Sequence, residues 1–195
     1  MNIRGYRVGV PAMKHSPIVL HRLLFAVRPP LTLARQIEQS AIWFRPGATR
    51  VRADNLHITL EIFEDHPTFP ERLAEVLMEA GKAVAAEPVE IVLDQVSGSK
   101  RSVALRPRRR IPALDQLYKA IALEVKRAGL TPRPDYSFSP HVTVLYRDGA
   151  PFTQAIDPIR WTADELVLVH SLVGRTRHDV LGRWRLRGSR QYALL

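Results

Sequence analysis

Apolar residues recur along this chain at two spacings, and the switches between them mark its elements. The run "RLLFAV" (22–27), closed by "RPP", has the continuous apolar pattern of a buried strand. In "LTLARQIEQSAIWF" (31–44), Leu33, Ile37 and Ala41 fall at helical spacing, and Thr32 is placed to cap the start. "RPGATRVRADN" reads as a loop and "LHITLEIF" (56–63) as a strand. A second helix follows in "PTFPERLAEVLMEAGKAVAAE", opened by Pro70, faced by Leu73, Val76, Leu77 and Ala80, and stopped by Pro88. "VEIVLDQVSG" and "SVALRP", joined by the turn "GSKR", form a hairpin pattern. The third helix, "RRRIPALDQLYKAIALEVKRAG", sets Leu114, Leu117, Ile121 and Val125 on one face and ends at Gly129. A proline-rich loop, "TPRPDYSFSP", leads to the strand "HVTVLY" (141–146), and two more strands are expected at 165–171 and 178–186.

Alternation within two of these strands raises a chemical question. Strand residues two apart share a face. In the first, Leu56, Ile58, Leu60 and Ile62 suit a core, which leaves His57 and Thr59 together on the opposite face. In the second, Val142 and Val144 suit the core, and His141 and Thr143 share the other face. Each of the two segments also follows the order strand, helix, His-x-Thr strand. This approximate duplication predicts an α+β fold with two related lobes, in which both motifs line one groove. His15, His21, His66, His170 and His178 show no such matching, and His170, beside Ser171, reads as structural.

Composition narrows the chemistry. The chain has 195 residues, 46% of them hydrophobic, which is ordinary for a globular protein with a real core. It has no cysteine, which excludes disulfides, cysteine-based zinc sites and thiol catalysis, and which fits a reducing cytoplasm. No stretch is long and apolar enough for a membrane helix, and the first residues lack the pattern of a signal peptide. Lys and Arg total 29 against 19 Asp and Glu, a net charge of +10 that favours a polyanionic partner such as nucleic acid. Two histidines without cysteine or an evident inward carboxylate are a poor metal-ligand set. They do suit paired acid–base work near neutral pH, with one imidazole taking a proton and the other giving one. Threonine hydroxyls can donate to phosphate oxygens as charge builds there. Together the residues point to phosphodiester chemistry with no metal and no cofactor.

"NLHITL" and "FSPHVTVLY" resemble the paired His-x-Thr motifs of the two-histidine phosphoesterase superfamily, specifically its RNA 2′,3′-cyclic phosphodiesterase, or 2′-5′ RNA ligase (LigT-like), family. "HRLLFAVRPP" and "ELVLVHS" are similar to further strands of that family. The resemblance covers roughly residues 18–187. It implies a bilobal α+β fold of two antiparallel-rich sheets flanked by helices around a central cleft, with one motif from each lobe. It also implies hydrolysis of a 2′,3′-cyclic phosphate RNA end or nucleotide to a 2′-phosphate. On this chain His57 would protonate the departing 3′-oxygen, His141 would activate water, and Thr59 and Thr143 would hold the phosphate. Many members carry an arginine five positions after the second histidine, where this chain has Tyr146, with Arg147 next. One step along a strand flips the face, so either the strand ends or bulges before Arg147, which is then the candidate phosphate ligand, or another arginine takes that role.

Phe138, Arg50, Arg52 and Tyr146 are candidate substrate contacts, by stacking or by charge. The run Arg106, Arg108, Arg109, Arg110 precedes a helix, where cations are disfavoured, and its role is open between a solvated surface and a binding patch. Cleavage or ligation of a 2′-5′ linkage, which would use the same four residues, and a non-catalytic RNA-binding module are the competing readings. The expected organisation is a leader over 1–17, one bilobal domain over 18–187 and a tail over 188–195, in a monomer.

Overall fold

In the computed structural model of the chain, residues 19–40, 47–175 and 177–187 are described. The expected leader (1–17), the tail (188–195) and the end of the first helix beyond Ser40 lie outside these residues. The strands are β1 (Leu20–Val27), β2 (Thr49–Arg50), β3 (Ile58–Ile62), β4 (Val89–Gly98), β5 (Ser102–Arg106), β6 (Val142–Tyr146), β7 (Phe152–Ala163), β8 (Glu165–Val173) and β9 (Arg177–Arg185). The helices are α1 (Leu31–Ser40), α2 (Glu71–Ala83) and α3 (Pro112–Arg127).

The strands form one nine-stranded antiparallel sheet where two were expected; its halves, β7-β4-β5-β6 and β3-β1-β8-β9, are the two lobes, with β2 added to β6. They meet where β3 and β6 pair at Ile58↔Val142. These are the apolar residues inside the two His-x-Thr motifs, and both are fully buried. α2 packs on β8 and β9, α3 packs on β3 and β4, and the two helices touch. One core of Phe25, Phe63, Leu77, Ile91, Leu114 and Ile121 runs through both lobes. Among the described residues no helix is long and apolar enough to cross a membrane.

The helices follow their sequence signals, with shifts at the ends. α1 starts before Thr32, because the Ala34 N–H already bonds the Pro30 carbonyl, so Thr32 lies inside the helix and not at its cap. α3 begins at Pro112, which leaves the arginine run outside it. It ends as Gly129 turns to φ +71° and the Leu130 N–H bonds the Val125 carbonyl. β7 was not legible as a strand. It is an edge strand, mostly exposed, so it has little apolar alternation, and its Pro158 lies beside a break in the β4 pairing near Leu93 and Gln95.

The β1–β3 and β5–β6 pairs carry the same irregularity. Ala26 faces Thr59 and Phe25 faces Glu61, so Leu60 is an extra residue on β3. Ala104 faces Thr143 and Val103 faces Leu145, so Val144 is the extra residue on β6. Each bulge falls just after a motif threonine and reverses which residues face which side. Strict alternation would send Ile62 to the main core. Instead it packs with the smaller cluster of Leu24, Ala26, Val167 and Val169. Glu61 is buried in its place, at 2% exposure.

Trp184 fills a tight space between α2 and β9. A Cβ on Gly81 would come within 2.5 Å of its ring, as would one on Gly182. Alanine in place of a helical glycine normally gains about 1 kcal/mol. Here Gly81→Ala is expected to destabilise by about 1–3 kcal/mol through overpacking. Thermal unfolding checks this, and a raised Tm would contradict the packing described.

Candidate active site

The junction of β3 and β6 floors a cleft of about 330 Å³. His57, Thr59, His141 and Thr143 all line it, together with Arg22, Leu24, Arg50, Val51, Arg52, Asn55, Ile62, Tyr136, Tyr146 and His178. Antiparallel register about Ile58↔Val142 directs His57 towards Thr143 and Thr59 towards His141. This gives an approximate twofold relation between the motifs. Three arginines and no carboxylate are among the lining residues, which suits an anionic occupant.

Both histidines are oriented in the same way. The His57 Nδ1–H donates to the Asn55 carbonyl oxygen at 2.7 Å, and the His141 Nδ1–H donates to the Ser139 carbonyl oxygen at 2.7 Å. A carbonyl can only accept, so Nδ1 carries the proton in each neutral ring and Nε2 is left as the reactive nitrogen. Each bond runs to the residue two positions before the histidine, a second mark of the duplication.

Burial governs the titration of both rings. Desolvation lowers the His57 pKa to about 4, helped by the charges of His178, Arg28 and His141 and opposed by the bond to Asn55. His141 is also lowered, first by desolvation and then by Arg106, against its bond to Ser139. In the free protein both imidazoles are therefore neutral near pH 7. An anionic phosphate in the cleft would favour the protonated form of each.

Tyr146, Arg50 and Arg52 lie in the cleft. Arg147 and Phe138 do not. The bulge at Val144 turns Tyr146 inward and Arg147 away, so the Arg147 side chain lies over the Phe152 ring and bonds the Ala150 carbonyl. Phe138 stacks on Tyr118, with ring centroids 4.5 Å apart, beside a neighbouring cavity. His170 lies outside the cleft, buried, with its Nε2 2.9 Å from His21 Nδ1.

His178, Arg22 and Tyr136 are among the cleft residues that motif reading missed. His178 stands edge-on to His57, with centroids 5.2 Å apart, although β9 lies three strands from β3. Nothing local in "RHDVL" signals this approach. Arg22 reaches the cleft wall from β1, its guanidinium held by both carboxylate oxygens of Asp65 at 2.6 and 2.7 Å. Tyr136 donates its hydroxyl to the Thr59 carbonyl at 3.0 Å, tying the loop before His141 to the first motif. Alternation from Leu24 was the available signal for Arg22. Among the described residues no three His, Asp or Glu side chains cluster as a metal ion would need.

A family model described as the 2′-5′ RNA ligase superfamily matches residues 25–175. The chain is similar to Escherichia coli LigT complexed with 3′-AMP, with 28% identity over 86% of this chain and 98% of that one and a TM-score of 0.66. It is also similar to a solved phosphoesterase, with 27% identity over 86% of this chain and 99% of that one and a TM-score of 0.66. A Thermus thermophilus protein shares the fold at 22% identity over 86% of this chain and 99% of that one, with a TM-score of 0.67. No curated protein matches the chain at the level of sequence.

Proposed function

Since the chain belongs to the 2′-5′ RNA ligase superfamily, a group of two-histidine phosphoesterases, we propose that it is a metal-independent phosphodiesterase that hydrolyses 2′,3′-cyclic phosphate ends of RNA to 2′-phosphates. The observation that carries this reading is the doubled site. Two Nε2 atoms and two threonine hydroxyls share one basic cleft, with each imidazole held by its own main-chain carbonyl. That E. coli LigT takes 3′-AMP and ATP fits a nucleotide substrate here.

In the proposed reaction His141 Nε2 accepts a proton from water, whose oxygen forms the new bond to phosphorus. The bond from phosphorus to the 3′-oxygen breaks, and the His57 Nε2 proton goes to that oxygen. The product is a 2′-phosphate monoester beside a free 3′-hydroxyl, and solvent returns the histidines to their starting forms. Thr59 and Thr143 donate to the non-bridging oxygens, while Arg22, Arg50 and Arg52 favour the anion. His57, the ring lowered to about 4, acts as the acid only once bound phosphate has raised its pKa.

This has a kinetic consequence. The pH profile of kcat/KM reports the free protein, and both ring pKa values lie below the ordinary 6.5. The profile is expected to be a bell whose maximum lies below pH 6.5, with limbs belonging to the pair and not to either ring alone. The kcat profile is expected to lie at higher pH. A kcat/KM maximum above pH 7 would contradict this electrostatic description.

The function itself is tested by a panel of 2′,3′-cyclic, 3′,5′-cyclic and 2′-5′-linked nucleotides, assayed with and without EDTA. Turnover of the 2′,3′-cyclic substrates, unaffected by EDTA, is expected. Preference for a 2′-5′ linkage would reassign the activity. RNA binding without turnover of any member would make the chain a binding module.

A further inference from the structure

The arginine run before α3 takes no part in the cleft. It borders a second cavity of about 650 Å³, large enough for a nucleotide, whose wall also carries Tyr118, Tyr136 and Phe138. The two cavities adjoin. Tyr136 lines both, and Ser139, whose carbonyl holds His141, belongs to the second. We infer that the second cavity binds the single-stranded RNA immediately 5′ of the reacting phosphate, with Arg108 and Arg109 on its backbone and the Tyr118–Phe138 pair as a platform for a base. This rests on the proposed function, which puts the 3′-terminal nucleotide in the cleft, so that the rest of the chain must leave it in the 5′ direction.

The arginines are not equivalent. Arg106 is committed to Ser97 and Ser139, to which its side chain donates at 3.0 and 2.9 Å. Arg110 pairs with Asp115. Arg108 and Arg109 are exposed, and among the described residues no carboxylate pairs with either guanidinium. Their loop is nonetheless fixed, because the Arg108 N–H donates to Asp94 Oδ1 at 2.7 Å. Two unneutralised guanidinium groups just before a helix N-terminus oppose its dipole, and an anion over them would relieve that repulsion.

The aromatic half of the cavity points to the same ligand. Tyr118 and Phe138 lie stacked, 11° from parallel. A flat aromatic surface beside free guanidinium groups is how unpaired bases and their backbone are held together without strong sequence preference. An acidic peptide would use the arginines but not the platform.

The test is fluorescence anisotropy of a 5′-labelled hexaribonucleotide ending in a 2′-phosphate, measured across salt concentrations. Arg108→Ala/Arg109→Ala is expected to weaken binding about tenfold and to reduce the salt slope by about 1.4, the value for two phosphate contacts on a single strand. Tyr118→Leu is expected to weaken binding about fivefold or more with the slope unchanged. Lys126→Ala/Arg127→Ala, which removes the same charge from the far end of α3, controls for net charge. If it weakens binding as much as the Arg108/Arg109 variant, or if that variant binds like wild type, the inference is overturned. Kinetics separate this from the parent reading. The ratio of kcat/KM for a cyclic-phosphate hexamer to that for 2′,3′-cyclic AMP should fall about tenfold in the Arg108/Arg109 variant. Lack of turnover of either substrate by wild type would sink the proposed function, with the anisotropy comparison still deciding the second cavity.

Discussion

His57→Ala and His141→Ala are each expected to lower kcat on a 2′,3′-cyclic nucleotide by about 10²–10⁴-fold, the usual contribution of a positioned acid or base. The two losses should not add. The imidazoles serve one displacement, so the double variant is expected to be little worse than either single one. The fold should survive, because neither ring belongs to the core: Ile58 and Val142 join the lobes, and each imidazole is held by a main-chain bond. Losing such a bond costs about 1 kcal/mol. Steady-state kinetics with matched thermal unfolding separates the two effects. A single variant retaining near-wild-type kcat would rule that histidine out of the proton transfers.

The second large effect concerns Glu61, which the bulge on β3 turns into the interior. At 2% exposure it has no cation beside it among the described residues, and desolvation raises its pKa to about 7. The folded carboxyl therefore binds its proton more tightly than the unfolded one, whose ordinary value is 4.5. Stability is lost as pH rises from that value through about 7 and stays lost above it. Replacing the carboxyl by an amide removes the penalty, so Glu61→Gln is expected to stabilise by about 3 kcal/mol above pH 7.5 and by much less at pH 5. His57 contributes the opposite slope. Its folded pKa of about 4 lies below 6.5, so stability falls as pH drops between those values. In wild type the two slopes oppose each other, whereas in Glu61→Gln the loss of stability on acidification should stand out. Urea unfolding at pH 5 and pH 8 checks both points, and an equal effect at the two pH values would contradict the buried, protonated Glu61.

The sequence carried the chemistry further than the geometry. His57, Thr59, His141 and Thr143 could be paired because a motif of four residues repeats in the same strand context, and the alternation of Ile58 and Leu60 told which side was wet. The bulges at Leu60 and Val144 could not be read this way. They are features of strand pairing, one extra residue against a partner, and they leave no mark in composition. They decide that Ile62 and Tyr146 face the cleft, that Glu61 is buried and that Arg147 points away. The same pairing logic hides β7, a polar edge strand, and His178, which reaches the cleft from β9, three strands away. Arg22 was within reach, two residues before Leu24 on a strand whose alternation was visible.

The bulge on β6 also bears on the position after the second motif. The position five after His141 faces the cleft only because Val144 is extra, and here it holds Tyr146, not arginine. Arg22, Arg50 and Arg52 line the cleft, with Arg22 paired to Asp65 and Arg52 to Asp54.

The most direct measurement is ³¹P NMR of the product formed from 2′,3′-cyclic AMP by the wild-type protein and by the two histidine variants. Two-histidine catalysis predicts a single 2′-phosphate monoester from wild type and its formation about 10²–10⁴-fold more slowly by His57→Ala and by His141→Ala. A 3′-phosphate product, or the same product formed at the wild-type rate by either variant, would contradict it.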